Sequence, residues 1–379
     1  MKLVFYSVVL NHHQAPLADE LYNLLGDEYC FVELINLRDK KGVADDFSKR
    51  PYLISAWESE VNYKRAMELA RTAECCVFSS VYALPFEKER MLKGLLSFDM
   101  TERWLKKGWK SFLSPRLQKW LLTYYLERWK NKPLYKLCMS AFAAEDHYKM
   151  GSFKGKVYKW GYFTRVDKKI GIRTECIENK NSFKLMWCAR FLDWKHPELP
   201  IQLMAKFKES ALPYEIRLDM YGDGVLLEKM KQLVRVLDVA DYVTFHGNIP
   251  NHKIRKAMSE HDIFLFTSDK REGWGAVANE AMSEGCLLIG SDEIGAVPYL
   301  IKDGVNGLVF KSKSLHSLQE KVLWAIKHKK ERLELQQHAI KTMREVWSPV
   351  NAANVLIQLI DNLKQGKDTS IDDGPCSKA

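Results

Sequence analysis

The sequence predicts an α/β protein made of two doubly wound domains. Three observations predict it. The chain has 379 residues, enough for two domains, since one domain commonly takes about 100–200. Short apolar segments alternate with amphipathic ones of helical period, first over roughly residues 1–165 and again over 182–345. Such alternation means a parallel sheet with helices on both faces. The segment between them, Thr164 to Asn181, is charged and weakly periodic, which marks a linker.

Lys2 to Leu10 is β-branched and apolar and opens the first domain as a strand. The loop NHHQAP follows, with Pro16 suited to a helix start. Ala15 to Leu25 is helical up to Gly26, and Cys30 to Leu37 is a second strand. Asn62 to Ala73 is helical and Cys75 to Ser79 is a third strand. The rhythm breaks at residues 86–132, read as a basic amphipathic helical insertion. Phe86 to Lys136 holds 13 Lys and Arg against 5 Asp and Glu. Leu134 to Phe142 and Gly155 to Phe163 return to strand character.

In the second domain, strands are expected at Ser182 to Phe191, Ile216 to Tyr221, Tyr242 to Phe245, Ile263 to Thr267 and Leu287 to Ile289. Helices are expected at Pro200 to Glu209, Leu226 to Leu237, His252 to Glu260 and Ala276 to Ser283. Residues 346–365 read as a C-terminal helix able to cross back to the first domain. Residues 366–379 are polar and rich in Gly, Pro and Asp, and are expected to be disordered.

Apolar residues make up 46% of the chain, so it folds around ordinary cores. The eight Cys show no metal-type spacing and read as buried thiols of a reducing cytosol. The N-terminal apolar run is short, lacks a small-residue cleavage site and reads as a strand, not a signal peptide. No run of about 18 apolar residues exists to span a membrane. The net charge of +10 favours anionic partners. Aromatic residues interleave with lysines in ERWLKKGWKSFL, which suits either a helix pair packed on its own domain or a face on an anionic membrane. Nucleic acid is not expected, because no recognition motif accompanies the charge.

The strongest chemical signal is REGWGAVANEAMSEG, Arg271 to Gly285. A buried strand ends at Ser268, a loop with Gly273 and Gly275 around Trp274 follows, and a helix starts near Ala276. Ligands in parallel sheets sit at the carboxyl ends of strands. There, glycines and a helix N-terminus suit a phosphate. Glu272 before the helix and Glu280 inside it offer acceptors to sugar and ribose hydroxyls. Arg190 and Lys195 lie at the end of the domain's first strand, on the same edge. An Arg fork and a Lys point charge there would meet the charge that grows on a departing phosphate.

Glu272-x7-Glu280 in this setting resembles the signature of family 4 retaining glycosyltransferases, which have the GT-B fold of two Rossmann-like domains. The resemblance is dense from Ser182 to Phe310 and diffuse before it. It implies that Glu272 contacts the donor hexose, Glu280 the nucleotide ribose, and Arg190 with Lys195 the pyrophosphate. The family usually has Lys-Gly or Lys-Asn where this chain has Lys195-His196. It also implies a G-x-G turn at Gly222 and Gly224 beside the nucleotide, and backbone at Gly247 and Asn248 near the base. Tyr299 stands where many members have Glu and is assigned no role. NHHQ places His12 and His13 in a loop expected to face phosphate or acceptor; Ser79, Ser80, Glu145 and Asp146 are weaker candidates there. The NHHQ loop, ERWLKKG and KWGYF resemble bacterial capsule and exopolysaccharide transferases.

The expected activity is transfer of a hexose from a UDP- or GDP-sugar to a sugar acceptor, lipid-linked, in cell-surface polysaccharide synthesis. No metal or other cofactor is expected, because Arg190, Lys195 and the helix dipole neutralise the diphosphate. The expected place is the cytoplasm, peripheral at the inner face of the cell membrane. The alternatives are another GT-B enzyme, such as a nucleotide-sugar epimerase or a phosphorylase, or a non-catalytic protein binding nucleotide sugars or polyanions.

Overall fold

The computed structural model describes residues 1–37, 47–166, 181–210 and 212–379. It divides into two compact units: Met1–Arg165 with Trp347–Ala379, and Val166–Val346. Most of the expected linker, Thr164 to Asn181, lies outside the described residues.

The first unit holds seven parallel strands in the order β3-β2-β1-β4-β5-β6-β7. They are β1 (Leu3–Ser7), β2 (Tyr29–Glu33), β3 (Leu53–Ser55), β4 (Cys75–Phe78), β5 (Ser97–Thr101), β6 (Leu134–Cys138) and β7 (Val157–Lys159). The helices are α1 (Ala15–Leu25), α2 (Glu60–Thr72), α3 (Leu84–Lys93), α4 (Pro115–Leu126) and α5 (Ala143–Lys149). Every residue of β1 is buried, as a central strand covered on both faces requires. One core joins Val4, Tyr6, Val32 and Phe78 to Ala66 and Ala70 of α2. A second joins Leu117, Trp120 and Tyr124 of α4 to Trp129, Leu134 and Phe153.

The stretch expected as a helical insertion is corrected. Residues 97–101 form β5, paired with β4 on one side and β6 on the other, so the region belongs to the sheet. The basic helices around LLSFDMT masked a strand whose partners are remote in sequence. Part of that strand's frame is Arg90, which is fully buried. It donates to the carbonyls of Ala70 at 2.9 Å, Ala73 at 2.8 Å and Leu96 at 2.7 Å. It thereby closes the end of α2, a use of arginine that periodicity does not reveal.

The second unit holds six parallel strands in the order β10-β9-β8-β11-β12-β13. They are β8 (Ser182–Cys188), β9 (Glu215–Tyr221), β10 (Val243–Gly247), β11 (Ile263–Phe266), β12 (Leu287–Ser291) and β13 (Leu308–Phe310). The helices are α6 (Glu198–Glu209), α7 (Leu227–Val236), α8 (Asn251–Glu260), α9 (Val277–Ser283), α10 (Val297–Leu300), α11 (Leu315–Lys327) and α12 (Lys329–Glu345). Leu185, Leu218, Leu265 and Ile289 of adjacent strands share one core with Ile201, Leu203, Leu318 and Val322 of α6 and α11.

The chain ends in the first unit. Helix α13 (Pro349–Lys364) packs on α1, and Trp347 stacks on Phe163 with ring centroids 6.1 Å apart. The expectation of a disordered tail is corrected. Lys159 N–H donates to Ser377 O at 2.8 Å and Cys376 N–H to Lys159 O at 2.8 Å, so the tail pairs with β7. Cys376 is fully buried and Tyr158 donates to Asp368 at 2.9 Å. A polar composition argues against independent folding, but an open sheet edge supplies hydrogen-bond partners that composition does not count. None of the described cysteines is in a disulfide. Among the described residues no helix is long and apolar enough to cross a membrane.

Removing residues 366–379 should uncover the β7 edge and lower the melting temperature by several degrees, on the order of 1–3 kcal/mol. A calorimetric scan of the full and shortened chains checks it, and equal melting temperatures would show that the tail is a passenger.

Candidate active site in the second unit

The second sheet changes direction between β8 and β11, which places a crevice outside the carboxyl ends of those strands. Two loops meet there: Ala189 to Lys195 after β8, and Thr267 to Gly275 after β11. Thr267 joins them. Its buried hydroxyl receives the Trp187 indole N–H at 2.9 Å and donates to Lys195 O at 2.7 Å. With the backbone so held, the Lys195 ammonium reaches the Glu272 carboxylate. Ser268 Oγ donates to the same Glu272 Oε2 at 3.1 Å. Lys195 and Glu272 are 12% and 13% exposed at their side chains, open enough to meet a ligand and dry enough to act strongly on it. Arg190 is exposed, on the same edge, and makes no side-chain hydrogen bond or ion pair among the described residues.

The glycines hold this edge together by close approach. Gly222 has φ +122°, and a Cβ there would lie 2.1 Å from Ala189 O. Gly224 has φ +154°, and its Cβ would lie 2.6 Å from Phe191 O. Hydrogen bonds seal the crossing: Gly222 N–H to Gly247 O at 2.7 Å and Phe191 N–H to Asp223 O at 2.9 Å. The MYGDG turn therefore shapes the loop that carries Arg190.

His196 occupies the left-handed region at φ +49°. That conformation explains why Gly or Asn suits the position after the lysine, and a histidine is among the residues that tolerate it. Its ring nitrogens face Glu198 Oε1 at 2.8 Å and Asp269 Oδ2 at 3.3 Å. The Glu198 hydrogen bond raises its pKa against the effect of burial, with Asp269 adding to the rise. Asp269 also takes Arg271 through contacts of 3.1 and 2.9 Å, while Arg271 reaches Asp193 at 2.7 Å. Burial raises the Asp269 pKa, but Arg271 and His196 together hold it well below the usual carboxylate range. This brace was not picked out in the sequence; the positive-φ position after Lys195 was its one legible trace.

Glu280 is buried in the first turn of α9, and Asn251 donates to it at 2.9 Å. Burial raises its pKa, with Asn251 opposing. Asn251 is a partner that sequence reading missed, since nothing marks the first residue of α8 as facing another helix. Trp274, in the loop expected to border the donor, is fully buried, donates to Asn279 at 2.8 Å and meets Tyr299 edge-on. Gly275 beside it, at φ +86°, leaves room for Phe266, whose ring a Cβ would meet at 2.2 Å. Gly273 is buried in the same loop. Gly247, at φ +69°, and exposed Asn248 end β10, next to His246 stacked on Tyr221 at 4.4 Å.

In the first unit, His12 and His13 follow β1 with rings 3.7 Å apart. Burial, then His12, lowers the His13 pKa to about 3, so His13 is a neutral imidazole. It lines a cavity of about 20 Å³, room for a water and not for a sugar. Fully buried Glu33 supports the loop by accepting from Leu10 N–H at 2.9 Å. Of the weaker candidates, Asp146 is fully buried and bound to Arg103 at 3.0 Å, Ser79 donates to Tyr6 O at 3.1 Å, and Ser80 caps a turn at Tyr82 N–H, 3.2 Å away. Those three contacts are structural, and Glu145 is exposed.

The fold and this edge define a class, the GT-B proteins with two Rossmann-like units. Residues 172–342 match the family described as Glycosyl transferases group 1. The chain is 27% identical over 138 residues to the UDP-N-acetylglucosamine–peptide N-acetylglucosaminyltransferase GtfA subunit of Streptococcus parasanguinis, covering 35% of this chain and 25% of that protein. It is 26% identical over 139 residues to poly(glycerol-phosphate) alpha-glucosyltransferase of Bacillus subtilis (strain 168), covering 36% and 20%. The chain thus spans a quarter or less of the length of these curated relatives. Among solved structures, Anabaena Alr3699/HepE in complex with UDP has a TM-score of 0.70 at 15% identity, covering 96% of this chain and 100% of that one.

The raised pKa of His196 has a consequence for stability. Its contribution is fully present below the ordinary histidine value of about 6.5 and is lost as pH rises through the higher folded value. Urea midpoints of wild type and His196→Asn should therefore differ most at mildly acid pH and converge in alkali. A gap that stays constant with pH would mean that the ring serves only as packing.

Proposed function

We propose that the chain is a retaining glycosyltransferase that moves a hexose from a UDP- or GDP-sugar to a sugar acceptor, lipid-linked, in the synthesis of a bacterial surface polysaccharide such as capsule or exopolysaccharide. The observation that carries this reading is the meeting of Lys195 and Glu272 at the switch point, with unpartnered Arg190 on the same edge. A cation beside a carboxylate suits a ligand that is anionic at one end and hydroxyl-rich at the other, as a nucleotide sugar is. The group 1 match over residues 172–342 covers this site. The two named relatives are glycosyltransferases, and the structural neighbour binds UDP.

On this reading the second unit holds the donor and the first the acceptor. Lys195 and Arg190 grip the diphosphate, Glu272 takes hexose hydroxyls and Glu280 the ribose. The loop at Gly273 to Gly275 offers backbone N–H groups, and the turns at Gly222, Gly224, Gly247 and Asn248 border the nucleotide. The bond from the sugar C1 to the phosphate oxygen breaks, and the acceptor oxygen bonds to C1 on the same face. Its proton passes to the departing phosphate oxygen, so nucleotide diphosphate leaves and no protein nucleophile is needed. Two preformed cations stabilise the charge that develops on that oxygen. No resident metal or cofactor enters this scheme.

Nucleotide diphosphate release should be measured with a panel of nucleotide sugars and a lipid-linked acceptor. Glu272→Ala and Arg190→Ala should each lower turnover by about 10²–10³-fold while the fold persists. Acceptor-dependent release that survives both changes would exclude this site as the reaction centre.

A peripheral position at the inner face of the cell membrane is part of the proposal. Its support is Trp109 and Leu113, 71% and 67% exposed, beside exposed Lys107 and Lys110. Apolar side chains among lysines suit an anionic bilayer surface. Vesicles rich in phosphatidylglycerol should sediment the protein, neutral vesicles should not, and salt or Trp109→Ala with Leu113→Ala should release it. Sedimentation that ignores lipid charge would remove this part.

A further inference from the structure

A pocket of about 250 Å³ lies wholly within the first unit; of the candidates named above only Ser80 is on its wall. It sits by the carboxyl ends of β4 and β5, with α3 and α4 contributing walls. Its lining includes two buried acids, Glu87 and Asp99, 5% and 4% exposed. Asp99 is balanced: buried Lys136 donates to it at 3.0 Å and also holds Thr101. Among the described residues Glu87 makes no ion pair, and its Oε1 is buried without a hydrogen-bond partner. Burial, then the nearness of Asp99, holds its carboxyl well above the usual range.

A buried polar atom without a partner costs stability, and such a group commonly marks a functional site. The walls fit a sugar. Trp104 lies beside Trp120, ring centroids 6.0 Å apart, and among the described residues its indole N–H is also buried without a hydrogen-bond partner. Trp120 is stacked on Tyr124 and Phe153, at 5.0 and 5.9 Å, so Trp104 is the aromatic wall left to a ring. Aromatic faces take the C–H face of a pyranose, while a carboxyl and an indole N–H take its hydroxyls. The volume is below the range of about 300–1,000 Å³ usual for drug-sized ligands, which limits the occupant to about one ring. Arg116 and Lys119, three residues apart on α4, also line the pocket. Both are exposed and make no ion pair among the described residues.

We propose that this pocket binds a sugar phosphate, one pyranose ring lying on Trp104 with hydroxyls on Glu87, and the phosphate on Arg116 and Lys119. Only the statement that this sugar belongs to the acceptor rests on the transferase reading; the binding itself does not.

Calorimetric titrations of the full chain test it, using the 1-phosphates of glucose, galactose and N-acetylglucosamine, the free sugars, and inorganic phosphate. At least one sugar phosphate should bind at least tenfold more tightly than its free sugar or phosphate alone. Arg116→Ala with Lys119→Ala should bring it down to the level of the free sugar. Glu87→Leu should raise the melting temperature, because it removes an unsatisfied acid, and weaken binding about tenfold, with Glu87→Gln restoring part of it. Exposed Val81, at the pocket wall, gives a variant that spares the core: Val81→Trp should block binding with the melting temperature unchanged.

A version of the bound sugar phosphate carrying a short prenyl chain separates the sources. Tighter binding of that version points to a lipid-linked sugar, and equal binding to a soluble one. No saturable binding of any of the three at millimolar concentration, or binding indifferent to these substitutions, overturns the proposal. UDP and GDP titrated into the same samples keep the readings apart: sugar phosphate bound while neither nucleotide binds would sink the transferase and leave this pocket standing.

Discussion

The Thr267 hydroxyl is the small contact on which the candidate site depends. Parallel strands covered on both faces expose reactive side chains only from loops at their carboxyl ends. Two loops from different strands must then be held in register by something at their base. Thr267 does this by taking the Trp187 N–H from β8 and donating to the carbonyl of Lys195. The ion pair of Lys195 with Glu272, the left-handed turn at His196 and the Asp269–Arg271 brace all stand on that tie.

Charge is distributed unevenly over this edge, and the unevenness is informative. Asp269 is enclosed by His196, Arg271 and Lys313, so its charge is spent on architecture. Lys195 and Glu272 neutralise each other while remaining partly open. Arg190 makes no side-chain hydrogen bond or ion pair among the described residues. A structural carboxylate collects donors until none of its charge is left over, whereas a ligand-facing group keeps capacity in reserve. The first unit repeats the contrast, with Asp99 matched by Lys136 and Glu87 left unmatched.

Much of the second unit was legible. The helix at Leu227–Val236 and the strands around Trp187 and Leu265 follow from period and turn residues, because burial of a covered strand leaves a continuous apolar run. Glu272, Glu280, Arg190 and Lys195 were legible because strand, glycine loop and helix succeed one another within a few residues. What stayed hidden was non-local. β3 is three residues long, β5 sits among basic helices, and the tail is ordered by the edge of β7. Asn251 reaches Glu280 across 29 residues of sequence. The burial of Trp274 was hidden for a related reason: an aromatic in a glycine loop looks the same in sequence whether it turns outward or inward.

The sequence by itself determined the alternation of strands and helices, the two-domain plan, and the residue types gathered at the end of β8 and around α9. These are local properties, set by hydrophobic period, turn chemistry and short spacing. Only the tertiary structure decided which of those residues act as groups in reserve and which as braces. It also decided that an unmatched acid, two tryptophans and two exposed cations from α3, the loop after β5 and α4 share one pocket. The reason is physical: pairing and burial depend on neighbours tens of residues away, and a charge declares its purpose only when its partners, or their absence among the described residues, are seen.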